Sequence, residues 1–210
     1  HNRCRRQRQM CIRDSSFINN IENFIVVEPT GIQQTIRGSF QVWEYRQTNS
    51  KLFGFDLNIK YDFNNYINFN HQSSIIKGYD LESDKPLIDM PPANIRNQIS
   101  YFNSDLNNLS ISMQSEYNFR QNEYPNNNFE VYVPTTATYE IVDVSTPPKA
   151  YHLINLNSKI DIHSDENSSI NLGFKINNLL NTRYKNYLNR LRYYSHDLGR
   201  NFVVSLRYNF

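Results

Sequence analysis

The sequence predicts an all-β protein of the antiparallel transmembrane β-barrel type, and three observations support this prediction. Apolar and polar residues alternate along the last segment, 199–210, with the two-residue period of a strand. Short turns alternate with long connections along much of the chain. No apolar run approaches the roughly 20 residues that a membrane-spanning helix needs. A soluble sandwich with a half-buried edge strand is the alternative that alternation alone leaves open.

The composition agrees with a membrane barrel better than with a helical protein. Only 39% of the 210 residues are hydrophobic, yet the chain contains 15 Tyr and 13 Phe with 6 Gly. Aromatic residues favour strands, and a transmembrane barrel needs apolar side chains only at alternate positions of each strand. The sequence therefore excludes a helical membrane protein.

The first fifteen residues do not share this pattern. They have no period, and residues 5–15 read like the in-frame translation of a sequencing-library adapter, so we expect residues 1–15 to be non-native and the natural segment to be 16–210. Without the five arginines and one aspartate of this segment, the formal net charge of +2 becomes about −2. A nucleic-acid partner is therefore not predicted. Both cysteines, Cys4 and Cys11, also lie there, and the remainder is thiol-free, as suits an oxidising compartment such as the periplasmic side of an envelope.

The first half of the remaining chain predicts three or four strands. The pattern of residues 17–27 predicts a strand, which we expect to end in a loop from Glu28-Pro29-Thr30-Gly31 to about Gly38. Residues 39–62 are extended, either as one long strand with an irregularity near 48–50 or as two strands. A tight turn at Asn64-Asn65 then leads into a strand over 66–76.

The second half predicts strands that are separated in turn by long and short connections. Strands are expected over 93–103, 109–119, 154–162, 170–177 and 199–210, with short turns near Asp105 and Ser164. The long connections are the proline-punctuated segment 78–92, the segment 121–148 and the segment 178–198.

The alternation of short and long connections indicates which side of the membrane each set of connections lies on. Bacterial outer-membrane barrels have short periplasmic turns and longer extracellular loops, whereas a Greek-key sandwich has no reason to sort its loops in this way. We therefore expect the three long connections to lie together outside the cell. The loop near Gly31 joins them only if 39–62 is a single strand.

Several short motifs resemble one protein family. Residues 176–184 (Ile-Asn-Asn-Leu-Leu-Asn-Thr-Arg-Tyr), 198–202 and the terminal Tyr208-Asn209-Phe210 are similar to the carboxyl-terminal signature of TonB-dependent outer-membrane receptors. Residues 86–92 resemble a proline element of that family, residues 20–25 resemble an upstream element, and residues 52–56 resemble its Gly-x-Glu strand, with Asp56 in place of Glu. The resemblance covers 16–210 in the family's order.

The resemblance implies a fold and a function. Such receptors form a 22-stranded barrel with a plug in its lumen, so this chain, with about eight meandering strands, would be the C-terminal third of the barrel. The implied function is active import across the outer membrane of a scarce nutrient such as a ferric siderophore, haem or metal complex. The implied partners are the TonB complex, acting through upstream segments, the barrel-assembly machinery, the outer-membrane bilayer and the nutrient itself. A passive porin, a structural envelope barrel and a soluble carbohydrate-binding sandwich are the alternatives.

Candidate ligand-binding residues lie in the last long loop. Aromatic rings and cations there would meet an aromatic or anionic chelate through stacking and charge-assisted hydrogen bonds. The ordinary alternative is that these rings pack within the loop or at the membrane interface. Lumen residues such as Arg96, Gln98, Glu116, Lys175 and Arg207 are expected to face the plug. The ligand candidates are Tyr184, Tyr187, Arg190, Arg192, Tyr193, Tyr194 and His196.

The chain predicts no catalytic, metal or cofactor site. His71, His152, His163 and His196 show no ligand spacing of the HxxxH kind, and His196 is the one that would be tested first. Ser195-His196-Asp197 contains the residue types of a hydrolase triad. Three consecutive residues, however, cannot readily form the hydrogen bonds that link a nucleophile to a base and the base to an orienting acid. An enzyme is therefore not predicted.

The final strand has a second predicted role. Its apolar face and terminal aromatic residue resemble the signal by which the barrel-assembly machinery recognises its substrates, and pairing at a strand edge supplies a mechanism. The residues of this expected assembly signal are Val204, Leu206, Tyr208 and Phe210.

Overall fold

The chain folds as a meander of long antiparallel strands. The computed structural model describes residues 10–164 and 168–209. The strands of the described part are β1 Met10–Thr35, β2 Gly38–Asp62, β3 Ile67–Asp80, β4 Lys85–Pro86, β5 Asn94–Asn103, β6 Leu109–Asn118, β7 Phe129–Val133, β8 Thr138–Val142, β9 Tyr151–Ser164, β10 Ser169–Asn177 and β11 Asn201–Asn209. Eight of them, each paired with the next long strand along the chain, make one continuous sheet in the order β1-β2-β3-β5-β6-β9-β10-β11.

The prediction of an antiparallel barrel fragment with about eight strands is confirmed. The two-residue strand β4 adds only to the end of β3, and β7 pairs with β8 in a separate hairpin. Among the described residues β1 and β11 pair with different neighbours and not with each other, so the sheet is open. No helix in the described part of the chain is long and apolar enough to cross a membrane.

The first hairpin is longer than the sequence predicts. β1 continues through Pro29 and Gly31 to Thr35, where we expected a loop, and a register shift between the Pro29 and Gly31 pairs absorbs the irregularity. A bulge is a position where proline is tolerated, because its missing N–H removes no regular ladder hydrogen bond. Residues 39–62 form a single strand within β2. The turn of this hairpin, at 36–37, therefore lies at the same end of the sheet as the long connections.

The three long connections lie at one end of the sheet, as predicted. They follow β3, β6 and β10, while the turns after β2 and β5 lie at the other end. The short turn expected at Ser164 to Asn167 falls largely outside the described residues. The segment 121–148 differs from the prediction in one respect, because it contains the β7–β8 hairpin with its cross-strand pair Tyr132 and Tyr139. Each of these two strands has only five residues, too few for a clear period.

The sheet has one apolar face and one polar face. The register places Phe202, Ile176, Leu156 and Met113 side by side across β11, β10, β9 and β6. Side chains on this face of β11 are largely exposed, with Val204 at 68% and Leu206 at 70%. Such exposure suits a surface that meets lipid. A soluble sandwich, which would fold these side chains against a second sheet, is not the architecture found.

Few side chains form a conventional core, and those few lie near the end with the long loops. The buried apolar residues of the described part are Val26, Leu87, Leu153, Ile176 and Tyr187.

The polar face of the sheet carries Arg96, Gln98, Glu116 and Lys175, as predicted. Arg96 Nη2 lies 3.5 Å from Glu116 Oε2.

Residues 10–15 belong to β1, where Met10 pairs with Tyr61 and Ser15 with Asp56. Residues 1–9 lie outside the described residues. The expectation that 1–15 is non-native stays a prediction.

Candidate functional site

The long connections contact one another through the segment 81–93, which we call the proline loop. Its residue Leu87 is buried, and the N–H of Leu87 donates to the carbonyl of Gly78 at 2.8 Å. Gln121, at the start of the second connection, donates from Nε2 to the carbonyl of Met90 at 2.7 Å. The loop end of the sheet is therefore a connected surface and not a set of separate loops.

A network of charged groups ties the β1–β2 hairpin to the proline loop. Arg46 on β2 contacts Glu28 on β1 at 3.0 Å, Asp80 at 2.5 Å and Glu82 at 3.2 Å. Thr48 also donates from Oγ1 to Asp80 at 2.5 Å. Burial opposes ionisation of Asp80, but hydrogen bonds from Thr48, Ser83 and Arg46 outweigh it and hold the pKa of Asp80 well below its usual range.

A second charged contact holds the start of the second long connection, near Glu123, against β3. Lys77 and Tyr79 on β3 both donate to the carboxylate of Glu123. The hydrogen bonds from Lys77 and then Tyr79 lower the pKa of Glu123. Glu123 therefore stays ionised and holds this connection against the end of β3 that leads into the proline loop.

These contacts border a pocket of about 220 Å³ between the first hairpin and the proline loop. Among its charged lining groups, Glu28 and Asp80 are both paired with Arg46, and Lys85 is the fourth. Pro29, Pro86 and Pro125 supply rigid apolar walls. The sequence did not point to this pocket, because its walls come from segments about 20 to 100 residues apart in a chain that gives no local signal of their contact.

The last loop is organised around Arg192. Its guanidinium lies between two rings, 4.7 Å from the centroid of Tyr187 and 4.6 Å from that of Tyr193. Nη1 donates to the carbonyl of Tyr187 at 2.5 Å and Nη2 to the hydroxyl of Tyr193 at 2.7 Å. Nη1 also lies 4.0 Å from Asp89 of the proline loop. Arg192 therefore stabilises the loop from inside.

The seven predicted ligand residues divide by exposure. Tyr187 and Arg192 are buried, at 4% and 7% exposure, and burial raises the pKa of Tyr187 to about 12. Tyr193 is half-buried against Arg192, and Tyr184 is half-buried with its ring 4.5 Å from that of Tyr151. The three exposed residues, which face solvent at the loop end of the sheet, are Arg190, Tyr194 and His196.

A second pocket, of about 340 Å³, lies beneath the last loop on the polar face of the sheet, and we call it the loop pocket. Tyr184 and Tyr151 supply aromatic surface, while Glu116 and Asn155 supply polar groups. Asn155 also lines a deeper pocket of about 260 Å³ with Gln98, Gln114 and Lys175. Polar groups thus continue from the last loop down the polar face.

Of the predicted ligand residues, only Tyr184 lines the loop pocket. The sequence missed Tyr151 and Asn155. Asn155 lies within the predicted strand 154–162, where its alternation with Ile154 and Leu156 was the available signal, whereas Tyr151 precedes that predicted strand. Within the described residues, His, Cys, Asp and Glu side chains form no group of three that could hold a metal ion.

Solved structures share this architecture. The copper transporter OprC has a TM-score of 0.74 and 14% identity, over 96% of this chain and 29% of that chain. The FpvAI protein in its complex with pyocin S2 has a TM-score of 0.64 and 16% identity, over 96% and 24%. The pyoverdine outer-membrane receptor FpvA of Pseudomonas aeruginosa PAO1 has a TM-score of 0.61 and 16% identity, over 96% and 27%. At these identities the likeness shows the fold, and the chain spans about a quarter of the length of each of these structures.

No curated protein sequence matches this chain. The family described as TonB dependent receptor-like, beta-barrel matches residues 15–179, which is most of the chain. The match includes most of β1 and all of β2, β3, β5, β6, β9 and β10, the strands whose register makes most of the open sheet. The chain therefore belongs to the TonB-dependent receptor β-barrel family, and its sheet is a segment of an outer-membrane barrel.

Proposed function

We propose that this chain is the carboxyl-terminal part of an outer-membrane receptor that imports a scarce nutrient with energy supplied through TonB. The nutrient would be a ferric siderophore, haem or another metal complex. The observation that chiefly supports the proposal is the family match over 15–179. The three long connections at one end of the sheet agree with it, since they would form an extracellular binding surface.

The loop pocket is the ligand site that we propose within this segment. It places two tyrosine rings next to a carboxylate and several amides, directly above further polar groups on the same face. Aromatic surface with a few polar groups is typical of small-molecule sites. Arg190, Tyr194 and His196 would make the first contact from the exposed tip of the last loop, before the ligand reaches Tyr184.

Uptake in cells tests this function. The measurement is accumulation of radiolabelled iron from a panel of ferric siderophores and haem, and of labelled copper, in strains with the full-length gene, without it and without TonB. We expect one of these compounds to lose uptake in both deletion strains. Uptake that requires the gene but persists without TonB would favour the passive porin instead.

Single substitutions test the proposed site. Tyr194→Ala and Arg190→Gln should each weaken binding of the transported compound by about three- to tenfold, because each removes one stacking or charge-assisted contact. The matched control is Tyr45→Ala, which removes a ring of similar exposure, 81% against 87% for Tyr194, from the first hairpin. The affinities are measured by titration calorimetry. If both variants bind the compound as tightly as the unaltered protein does, the ligand does not contact Tyr194 or Arg190.

A further inference from the structure

Three polar residues lie in a row on the apolar face of the sheet, and we call His71, Asn97 and Ser115 the polar row. The register pairs His71 on β3 with Asn97 on β5, and Asn97 with Ser115 on β6. Nδ1 of His71 lies 2.7 Å from Oδ1 of Asn97, so both side chains leave the same face. Ser115 Oγ lies 2.8 Å from Nε2 of His152, whose ring contacts that of Tyr117.

The polar row lies inside the apolar band of this face. Side chains two positions apart on a strand share a face, so β5 places Ile95 and Ile99 on either side of the row, and β6 places Met113 and Tyr117 there. Ile99 and Met113 are each 49% exposed. The members of the row are themselves partly exposed. The side chains that surround the row therefore meet lipid, and so does the row.

Pairs of aromatic rings border this band at both ends. Tyr66 and Tyr101 stack at the end with the short turns, with ring centroids 6.3 Å apart, and Tyr117 and Phe119 pack at 4.8 Å at the loop end. Such aromatic girdles mark the two interfaces of a membrane barrel. The polar row between them lies at the depth of the hydrocarbon, where water does not satisfy polar groups.

The hydrogen bonds within the sheet use only part of the capacity of the row. An amide oxygen only accepts, so Nδ1 of His71 donates to Asn97, and in a neutral imidazole Nε2 is left as an acceptor. The Nδ2 group of Asn97 supplies two donors. Neither His71 Nε2 nor Asn97 Nδ2 has a hydrogen-bond partner among the described residues. Polar groups in hydrocarbon without a partner are costly, so this surface favours contact with another polar surface.

We propose that the polar row is the contact surface of a homodimer in the outer membrane, formed with the same row of a second copy. Two copies that are inserted in the same direction present their rows at the same depth, as a two-fold axis along the membrane normal requires. Two barrels side by side touch along a few adjacent strands, and the row covers β3, β5 and β6. A different membrane protein would need polar groups of its own at this depth.

The order of residues in the row is self-complementary about Asn97. A two-fold axis at Asn97 brings the two Asn97 amides together, and each can donate to and accept from the other. The same axis brings His71 of each copy opposite Ser115 of the other. The Ser115 hydroxyl, which accepts from Nε2 of His152, donates to Nε2 of that histidine. The exposed apolar side chains on either side of the row pack around these hydrogen bonds.

Self-association of the full-length protein tests the proposal. Donor-labelled and acceptor-labelled copies are mixed in phosphatidylcholine vesicles, and the dimer dissociation constant is obtained from energy transfer as lipid is added. His71→Leu/Asn97→Leu keeps the face apolar but removes two hydrogen-bonding groups from each copy. It should raise the dissociation constant about tenfold or more.

A matched pair of serine variants separates the row from the rest of the face. Ser158 on β9 pairs with Ile111 and Phe174, so it lies on the same face but outside the row. Ser115→Ala should raise the dissociation constant about threefold. Ser158→Ala, which removes the same hydroxyl group, should leave it unchanged.

Photo-crosslinking in cells identifies what the row contacts. A photoreactive amino acid replaces Ile99, which is next to the row, or Val204, which is 68% exposed on β11, three strands beyond β6. At position 99 we expect a product of twice the mass of the protein, and the double variant should lose it. At position 204 we expect no such product.

Several results would overturn the proposal. They are energy transfer no greater than that of randomly distributed monomers, no double-mass product at position 99, equal amounts of it at positions 99 and 204, or normal dimerisation of the double variant. Equal effects of Ser115→Ala and Ser158→Ala would do the same. A cross-linked product of another mass would overturn it in favour of a different membrane protein. If the double variant gives no compact band in an unheated gel, the two serine variants decide the outcome.

Discussion

Individual residues show how the loop end of the sheet is held in place. Asp80 receives hydrogen bonds from Thr48 and Ser83 and contacts Arg46, so one carboxylate joins β2, β3 and the proline loop. Arg192 connects the last loop to the proline loop, because its guanidinium contacts the rings of Tyr187 and Tyr193 and lies 4.0 Å from Asp89. Because a buried charge without its partners is costly, such positions are sensitive to substitution in a way that exposed loop charges are not.

Asp80→Asn should loosen the proline loop. The amide keeps the shape of the side chain but removes a charge that Arg46, Thr48 and Ser83 contact, and the expected loss is about 1–3 kcal/mol. The measurement is the rate of proteolysis within 81–93 in the assembled full-length protein. The matched control is Asp84→Asn, which changes an exposed carboxylate four residues away and should leave the rate unchanged. Equal rates for both variants and the unaltered protein would contradict the role given to Asp80.

The same contact should depend on pH. The folded state holds the pKa of Asp80 below its ordinary value of 3.8, so the unfolded loop binds the proton more readily than the folded loop. The stabilisation is therefore fully present above about pH 5 and is lost as the pH falls below about 4 toward the lowered pKa. Amide hydrogen exchange at residues 80–83, corrected for the intrinsic rate, should become faster in the unaltered protein as the pH falls below about 4. In Asp80→Asn this acceleration should be absent.

Gly54 is required for close packing on the polar face. A Cβ atom there would lie 2.5 Å from the carbonyl oxygen of Ile75 and 2.7 Å from the Phe17 ring. Gly54→Ala should therefore destabilise the barrel by about 1–3 kcal/mol, measured as a lower urea midpoint for loss of the compact band in unheated gels. Gly31→Ala is the control, because no atom lies within 4 Å of the corresponding Cβ. A midpoint for Gly54→Ala equal to that of Gly31→Ala would show that Phe17 and β3 can move aside.

At the scale of elements, β11 combines a structural and a proposed assembly role. Phe202, Val204, Leu206 and Tyr208 are all more than half exposed on the apolar face. β11 pairs with β10 along nine residue pairs, and its other edge has no strand partner within the described residues. Phe210, the last residue of the expected assembly signal, lies outside the described residues.

Deletion of Phe210 from the full-length protein should lower its amount in the outer membrane. Its aromatic ring is the terminal member of the apolar series that we propose the assembly machinery recognises. The measurement is the compact, heat-modifiable band in outer-membrane fractions. Phe210→Tyr, which keeps the ring, should assemble at the normal level. An unchanged band after the deletion would remove Phe210 from the proposed signal.

At the scale of the whole molecule, the open sheet decides what this segment can do. The outer edges of β1 and β11 have no strand partner among the described residues. Unpaired backbone groups are costly in lipid and invite edge-to-edge association in water. Both costs disappear only when further strands close the barrel.

The chain 16–210 produced alone should therefore not insert as a monomeric barrel. We expect oligomers by light scattering after refolding in detergent, no compact band in unheated gels, and no uptake in cells that lack the full-length gene. The full-length protein refolded in the same detergent is the control. A monomer with a compact band would show that this segment can close on itself.

The sequence by itself determined the strands, the two faces of the sheet, the end at which the long connections meet and the family. These depend on local periodicity and turn residues, which any short window of chain contains. It also predicted the loop that carries the candidate ligand residues. It placed a loop at Pro29 where β1 continues, because the register shift that accommodates proline depends on the partner strand.

Only the tertiary structure decided which of those residues are accessible. Arg190 and Arg192 are two positions apart and alike in sequence, yet Arg190 is exposed while Arg192 is buried between two rings. The contact of Arg46 with Asp80 and the loop pocket were equally invisible, since their members are brought together from strands that are distant along the chain. Burial and pairing are properties of contacts between distant segments, and a one-dimensional pattern does not contain them.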